Sequence, residues 1–257
     1  QGVTFSDGSP WNAEVLGQNF EHMRDPATKS PLAAAYIAPY IDGTVIDEYT
    51  FEAHLEYAYT PFLYGLAQSW VTIESGKAIT ESPETLCQDP VGSGPFVVTD
   101  YVPGQSITYA KREGYDWAPE WLGSEGDAYL DGVNVTVVPE AVIRYESLVS
   151  GQYDATENLP PQNAEAIQAS SDFTYENLVR SGSPNVLHFN TSRAPFDDIL
   201  VRKAFVAAVN REAIAQAQGF GTFDVKDNFL SSATIYYDES TEGHFAYDVD
   251  EANALLD

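Results

Sequence analysis

Asn185-Val186-Leu187-His188-Phe189-Asn190-Thr191 leads into Ala194-Pro195-Phe196-Asp197-Asp198, and Asn210-Arg211-Glu212-Ala213-Ile214 follows after one more apolar stretch. The first seven residues predict a strand. Alternation puts Val186, His188 and Asn190 on one face and Leu187 and Phe189 on the other. Pro195 stops it, and Asp197 is placed to cap a helix with Ile199, Val201, Ala204, Phe205 and Val209 on its apolar stripe. Asn210 caps a second helix that ends near Gly219 and Gly221. A strand feeding capped helices through Pro and Gly stops is the repeating unit of α/β architecture.

The same grammar extends toward the N-terminus. Val3-Thr4-Phe5 reads as part of a strand, ended by a turn at Asp7-Gly8-Ser9-Pro10. Asn12 then caps a helix with Glu14 in its first turn and Leu16, Phe20 and Met23 toward a core. Ser30-Pro31 opens a second helix, and Tyr49–Leu55 alternates as a strand. Pro61 sits at a helix start, with Phe62, Leu63 and Leu66 as the buried stripe. Residues 80–90 are polar and acidic, which suggests a surface connection and the best domain boundary. Beyond it, Phe96–Tyr101 and Ser106–Ala110 form a hairpin about Pro103-Gly104, and Val133–Val138 is another strand. A helix follows from about Ala141 to Ser150, with Val142, Tyr145, Leu148 and Val149 on one stripe, and a short one lies near 163–169. Because the chain starts on a strand pattern and stops on a helix pattern, both ends are expected to be internal to a longer protein.

Charge narrows the function. Asp plus Glu number 39 against 12 Lys plus Arg, a formal net of −27 at pH 7. Such a surface repels nucleic acid and anionic headgroups and favours cations or cationic ligands; without a specific partner, it is a salt-tolerant acidic surface. Aromatic residues make up 13%, enough to furnish a core and an adaptable pocket. One cysteine, Cys87, allows no intrachain disulfide and has no basic neighbour in sequence to activate it. No run approaches the length of a membrane-spanning helix.

Enzyme motifs fare poorly. Gly92-Ser93-Gly94-Pro95 is too short for a dinucleotide loop, and there is neither a Gly-Lys-Ser/Thr phosphate loop nor a Gly-x-Ser-x-Gly elbow. His22, His54, His188 and His244 do not pair at metal-ligand spacing. Asp248-x-Asp250-x-x-Asn253 lacks the glycine and the bidentate Glu of a calcium loop, so a helix cap is the better reading. No metal and no cofactor is expected. Facing carboxylates of a glycosidase meet only in space, which leaves a secreted glycosidase or esterase as the enzyme alternative.

Four segments together resemble the peptide/nickel-binding family (family 5) of solute-binding proteins that serve ABC importers. They are Val3–Glu14; Val91-Gly92-Ser93-Gly94-Pro95-Phe96 with Tyr129-Leu130-Asp131; Arg144-x-x-x-Leu148-x-x-Gly151-x-x-Asp154; and the 189–214 stretch already quoted. Each is weak alone, but their order spans nearly the whole chain. As residues they are mostly structural, and Arg202 and Arg211 read as surface ion-pair partners.

The resemblance implies a fragment of a bilobed periplasmic-binding-protein fold (type II-like), α/β with mixed sheets and an extra α/β subdomain. Residues 1–92 would be that subdomain, 93–183 part of the first lobe, and 184–257 the hinge strand and the beginning of the second lobe. It implies a receptor, not an enzyme, that captures peptides or a related small solute and delivers them to a membrane permease. The same scaffold specific for oligosaccharide or a nickel chelate is the alternative within the family. The protein would be a monomer without nucleic-acid partners, periplasmic or extracellular, and lipid-anchored or secreted. Ligand candidates are the polar hinge face, Val186, His188 and Asn190, together with Tyr153, Asn158 and Trp70. His188 would read ligand side chains near its ordinary pKa of about 6.5, or serve only as a structural histidine.

Overall fold

The computed structural model describes residues 1–123, 126–223, 225 and 228–257. It divides into two compact units, Gln1–Val137 and Val138–Asp257.

The first unit starts with a turn rather than a strand. Among the described residues the β pairing of the expected strand is limited to an isolated bridge, Thr4 to Pro10. Ser9 donates from its backbone N–H to Asp7 Oδ1 at 2.9 Å, and Gly8 takes a positive φ of 81°. The chain therefore folds back after Phe5, whose ring is fully buried. Helix α1 (Ala13–Arg24) follows, with the Asn12 side chain accepting from Val15 N–H as a cap. Helix α2 (Pro31–Tyr36) carries Pro31 in its first turn, where a missing N–H costs nothing.

Strands β1 (Tyr40–Asp47) and β2 (Thr50–Leu55) form an antiparallel hairpin. Sequence reading found β2 and missed β1. Two register shifts interrupt the ladder, at Tyr40/Asp42 and Val45/Asp47, and only Tyr40 of this strand is buried. A bulged strand with seven exposed residues shows no period-two pattern. Gly43 is required here, because a Cβ would stand 2.2 Å from the Phe51 ring that crosses it.

Helix α3 (Phe62–Leu66) buries Phe62 but leaves Leu63 76% exposed, so the expected three-residue stripe is only partly correct. Consecutive helical residues lie about 100° apart, so Leu63 points away from the face that Phe62 and Leu66 share. Helix α4 (Gly76–Glu81) is capped by Ser75 Oγ, which accepts from Ala78 N–H. The core between α1, the hairpin and α3 contains Phe20, Met23, Ile37, Tyr40, Phe62 and Val71. Strands β3 (Phe96–Val102), β4 (Ser106–Lys111) and β5 (Gly132–Thr136) make a second sheet, antiparallel in the order β3-β4-β5. The hairpin and third strand match the sequence reading to within two residues at each end.

The second unit opens with α5 (Ala141–Val149) and α6 (Ala164–Ala169). In α5 the expected stripe is not buried: Val142 and Val149 are exposed, and Ser147 is the buried residue. Residues 185–191 form no strand. Among the described residues no segment lies alongside to exchange backbone hydrogen bonds with them, and a strand has no internal bonds of its own. Leu187 is consequently 67% exposed, while Phe189 packs against Phe196 and Phe205 at centroid separations of 4.8 and 5.2 Å.

Helix α7 (Ile199–Ala208) is capped by Asp198, not Asp197, through a 2.8 Å bond from Leu200 N–H. Its buried positions are Ala204 and Ala207, whereas Ile199 is exposed. Helix α8 (Arg211–Gly219) takes the expected Asn210 cap, at 2.9 Å from Ala213 N–H. Helix α9 (Val249–Leu256) is capped by Asp248 through Glu251 N–H at 2.9 Å, in line with the cap reading of that acidic run. It lies against α7, and the buried positions of the two helices are small, Ala252 on one and Ala204 and Ala207 on the other. Arg202 and Arg211 are not ion-paired among the described residues. Arg202 donates to the carbonyls of Phe196 and Asp197, and Arg211 to that of Phe245, because helix-flanking carbonyls lie closer than any carboxylate.

Candidate functional site

Of the six residues singled out in the sequence, Trp70 belongs to the first unit and the other five to the second. Val186, His188 and Asn190 are all exposed on the extended 185–190 segment. Asn190 Oδ1 is occupied locally, accepting from Ser192 N–H at 3.1 Å and Ser192 Oγ at 2.7 Å. Tyr153 is half-buried just after Gly151, a left-handed stop with φ 75°. Asn158 is exposed with φ 55°, and its carbonyl accepts from Arg144 Nη2 at 3.0 Å. The same guanidinium donates to Val138 and Pro139 carbonyls, so Arg144 of the third family-like segment ties three loop carbonyls together. Trp70 belongs to the first unit, where it is mostly exposed. No hydrogen bond or ring contact joins any two of the six among the described residues.

The first unit contains an open crevice of mixed polar and apolar lining that sequence reading did not single out. Ser6, Glu74, Ser93, Gly94, Phe96 and Val98 line a crevice of about 330 Å³. Three chain segments meet there. Ser6 N–H donates to Gly92 O at 2.9 Å, and Ser75 N–H donates to Val91 O at 3.0 Å. Glu74 Oε2 accepts from Val91 N–H at 2.8 Å. Arg112 secures the first segment, donating to Thr4 O, Thr4 Oγ1 and Phe5 O at 2.9, 2.8 and 2.6 Å while lying over the Trp117 ring. Trp117 Nε1 in turn donates to Ser93 O at 2.9 Å.

Two carboxylates beside the crevice are pushed in opposite directions. Burial raises Glu74, and the Val91 N–H offsets this only partly. Burial also opposes ionisation of Asp7, but hydrogen bonds from Ser9 Oγ, Ser75 Oγ and Ser9 N–H outweigh it and leave the group below its ordinary value. The Ser75 hydroxyl is central, donating to Asp7 Oδ2 at 2.7 Å from a fully buried residue. Among the described residues no three His, Cys, Asp or Glu side chains converge as a metal would need. The Gly92–Gly94 wall was visible as a motif. The 72–74 wall carries no motif, and only its long-range bonds reveal it.

With the folds and this geometry established, similarity to known proteins decides the family. The family model described as bacterial extracellular solute-binding proteins, family 5 (middle) matches residues 1–257. The chain belongs to this family. This family 5 chain is 34% identical over 220 residues to heme-binding protein A of Haemophilus influenzae, covering 82% of the chain and 38% of that protein. Against the dipeptide-binding protein of Escherichia coli K12 it is 28% identical over 218 residues, with the same two coverages of 82% and 38%. Among solved structures, the binding protein AgaA of A. tumefaciens R10, in complex with agropinic acid, superposes with a TM-score of 0.80 at 22% identity. All of this chain and 50% of that one are matched, and the likeness shows the fold. The family 5 chain thus spans about half the length or less of the proteins it matches. Its helices and sheets are those of an α/β fragment of the bilobed periplasmic-binding-protein fold.

Proposed function

We propose that the protein carrying this chain is the solute-binding receptor of an ABC importer, that it captures peptides outside the cytoplasmic membrane, and that it delivers them to a permease without chemical change. The observation that supports this most is the family match running from residue 1 to 257, together with the likeness to a dipeptide-binding relative. Extended peptides suit such a receptor, because main-chain hydrogen bonds supply affinity while roomy, wet side-chain pockets permit variety. In this reading 1–92 is an extra subdomain, 93–183 part of the first lobe, and 184–257 the hinge and start of the second lobe. Val186, His188 and Asn190 then border the ligand, with Tyr153, Asn158 and Trp70 as further contacts. Ligand capture is a population shift toward a closed form. The receptor acts as a monomer, periplasmic or extracellular, lipid-anchored or freely secreted.

Haem is the second reading, favoured by the 34% identity to the haem-binding relative. The net charge of −27 argues against it, since a dianionic porphyrin would be repelled during encounter at low salt.

A thermal-shift panel on the full-length mature protein separates the readings, with di- and tripeptides, haemin, oligosaccharides and nickel chelates as arms. A ligand present at about 100 times its Kd adds about 2.7 kcal/mol, which means several degrees in Tm. Peptides are expected to give the largest shift. A shift confined to haemin transfers the assignment to haem. No shift with any arm, alongside turnover of a chromogenic ester or glycoside, would overturn the receptor reading.

A further inference from the structure

We infer that the folded protein is built for concentrated salt, its surface charge being neutralised by cations of the medium rather than by its own Lys and Arg. The first observation is the imbalance of 39 carboxylates to 12 cationic side chains, only five of them Lys. The second is where the carboxylates lie. Every described Asp and Glu is exposed except Glu74 and Glu242, which are half-buried.

The third observation is what the cationic groups do. Among the described residues, Arg24 with Glu21 and Lys111 with Asp131 are the ion pairs that Lys and Arg make. Arg112, Arg144, Arg202 and Arg211 instead direct their guanidinium groups to backbone carbonyls. Arg24 also donates to the Ile41 carbonyl. The few positive charges therefore fasten loops and helix ends and leave most of the acidic surface without a protein counter-charge.

Acids also stand next to each other, as in Asp47-Glu48, Asp197-Asp198, Asp238-Glu239 and Asp250-Glu251. Neighbours at such spacing repel within a Debye length of about 8 Å at physiological salt, and are screened when it shrinks to about 3 Å at 1 M. Adjacent acids are equally close in the unfolded chain; what folding adds is confinement of the whole net charge of −27 to a compact surface, so screening stabilises the compact state more than the unfolded chain. Among the described residues no three His, Cys, Asp or Glu side chains are arranged to hold a metal ion, so what is inferred is a diffuse layer of counter-ions and not a bound-ion site. This inference is independent of the ligand, and it is tested without one.

The test is thermal unfolding of the full-length protein from 0.05 to 2 M KCl, in parallel with a variant carrying Glu→Gln at 56, 81, 84, 113, 146 and 176. These six side chains are exposed and make no hydrogen bond or ion pair among the described residues. The wild-type Tm is expected to rise by about 5 °C or more across the series. The variant should melt higher than wild type at 0.05 M KCl and respond less steeply to salt. A wild-type Tm that stays flat or falls would overturn the inference. So would a variant with the wild-type slope, because that assigns the effect to salt acting on apolar surface.

Discussion

Phe20→Ala lowers the stability of the first unit by about 3–5 kcal/mol, the range for truncating a large aromatic side chain in a packed core. Phe20 is 1% exposed and stands edge-on to three rings: Tyr40 at 4.9 Å, Phe51 at 5.9 Å and Phe62 at 6.3 Å. These rings come from β1, β2 and α3, so one side chain on α1 joins every element of that core. Truncation leaves a cavity that α1 cannot collapse into, because Asn12, Asn19 and Met23 hold it in register. The measurement is urea unfolding followed by tryptophan fluorescence. The four Trp residues of this chain (11, 70, 117 and 121) lie in the first unit, so their signal reports that unit. Leu63→Ala is the control: at 76% exposure it should change stability by no more than about 0.5 kcal/mol. Equal effects of the two substitutions would show that the core is elsewhere.

Asn19→Leu costs about 2–4 kcal/mol, although it keeps the branched shape and adds apolar character. Asn19 is 1% exposed, the largest buried polar side chain in the unit. Its Nδ2 donates to Val15 O and Glu74 O, both at 2.8 Å, and its Oδ1 accepts from Glu74 N–H at 2.8 Å. The amide thus imitates a strand partner for the backbone of Glu74, fixing the wall of the crevice against α1. Leucine would leave both backbone groups of Glu74 without partners in a poorly hydrated place. The same fluorescence-detected unfolding measures it. A leucine variant as stable as wild type would mean that packing, not hydrogen bonding, holds the 72–75 segment.

These two neighbours on α1 illustrate what sequence can and cannot reveal. The helix itself was legible, because the Asn12 cap, the acidic first turn and the spacing of Phe20 and Met23 are all local signals. The Asn210 and Asp248 caps and the β3-β4 hairpin were legible for the same reason. Buried Asn19 gave no signal, since its partner lies 55 residues away. Strand β1 was hidden by its bulges and its exposure. The 185–191 segment shows the opposite failure: its alternating pattern is real, but a pattern makes a strand only where another backbone meets it. The family motifs were legible as an ordered set, although each is chiefly a turn, a cap or a loop tie. The crevice was legible only at Gly92–Gly94, because Glu74 reaches it through contacts that no local pattern encodes.

The receptor claim is tested most directly by titration calorimetry of the full-length mature protein with defined di- and tripeptides. The account predicts saturable binding of one peptide per chain, with a negative heat-capacity change as apolar surface is enclosed. Absence of saturable peptide binding, together with stoichiometric uptake of haemin or another solute, would contradict it.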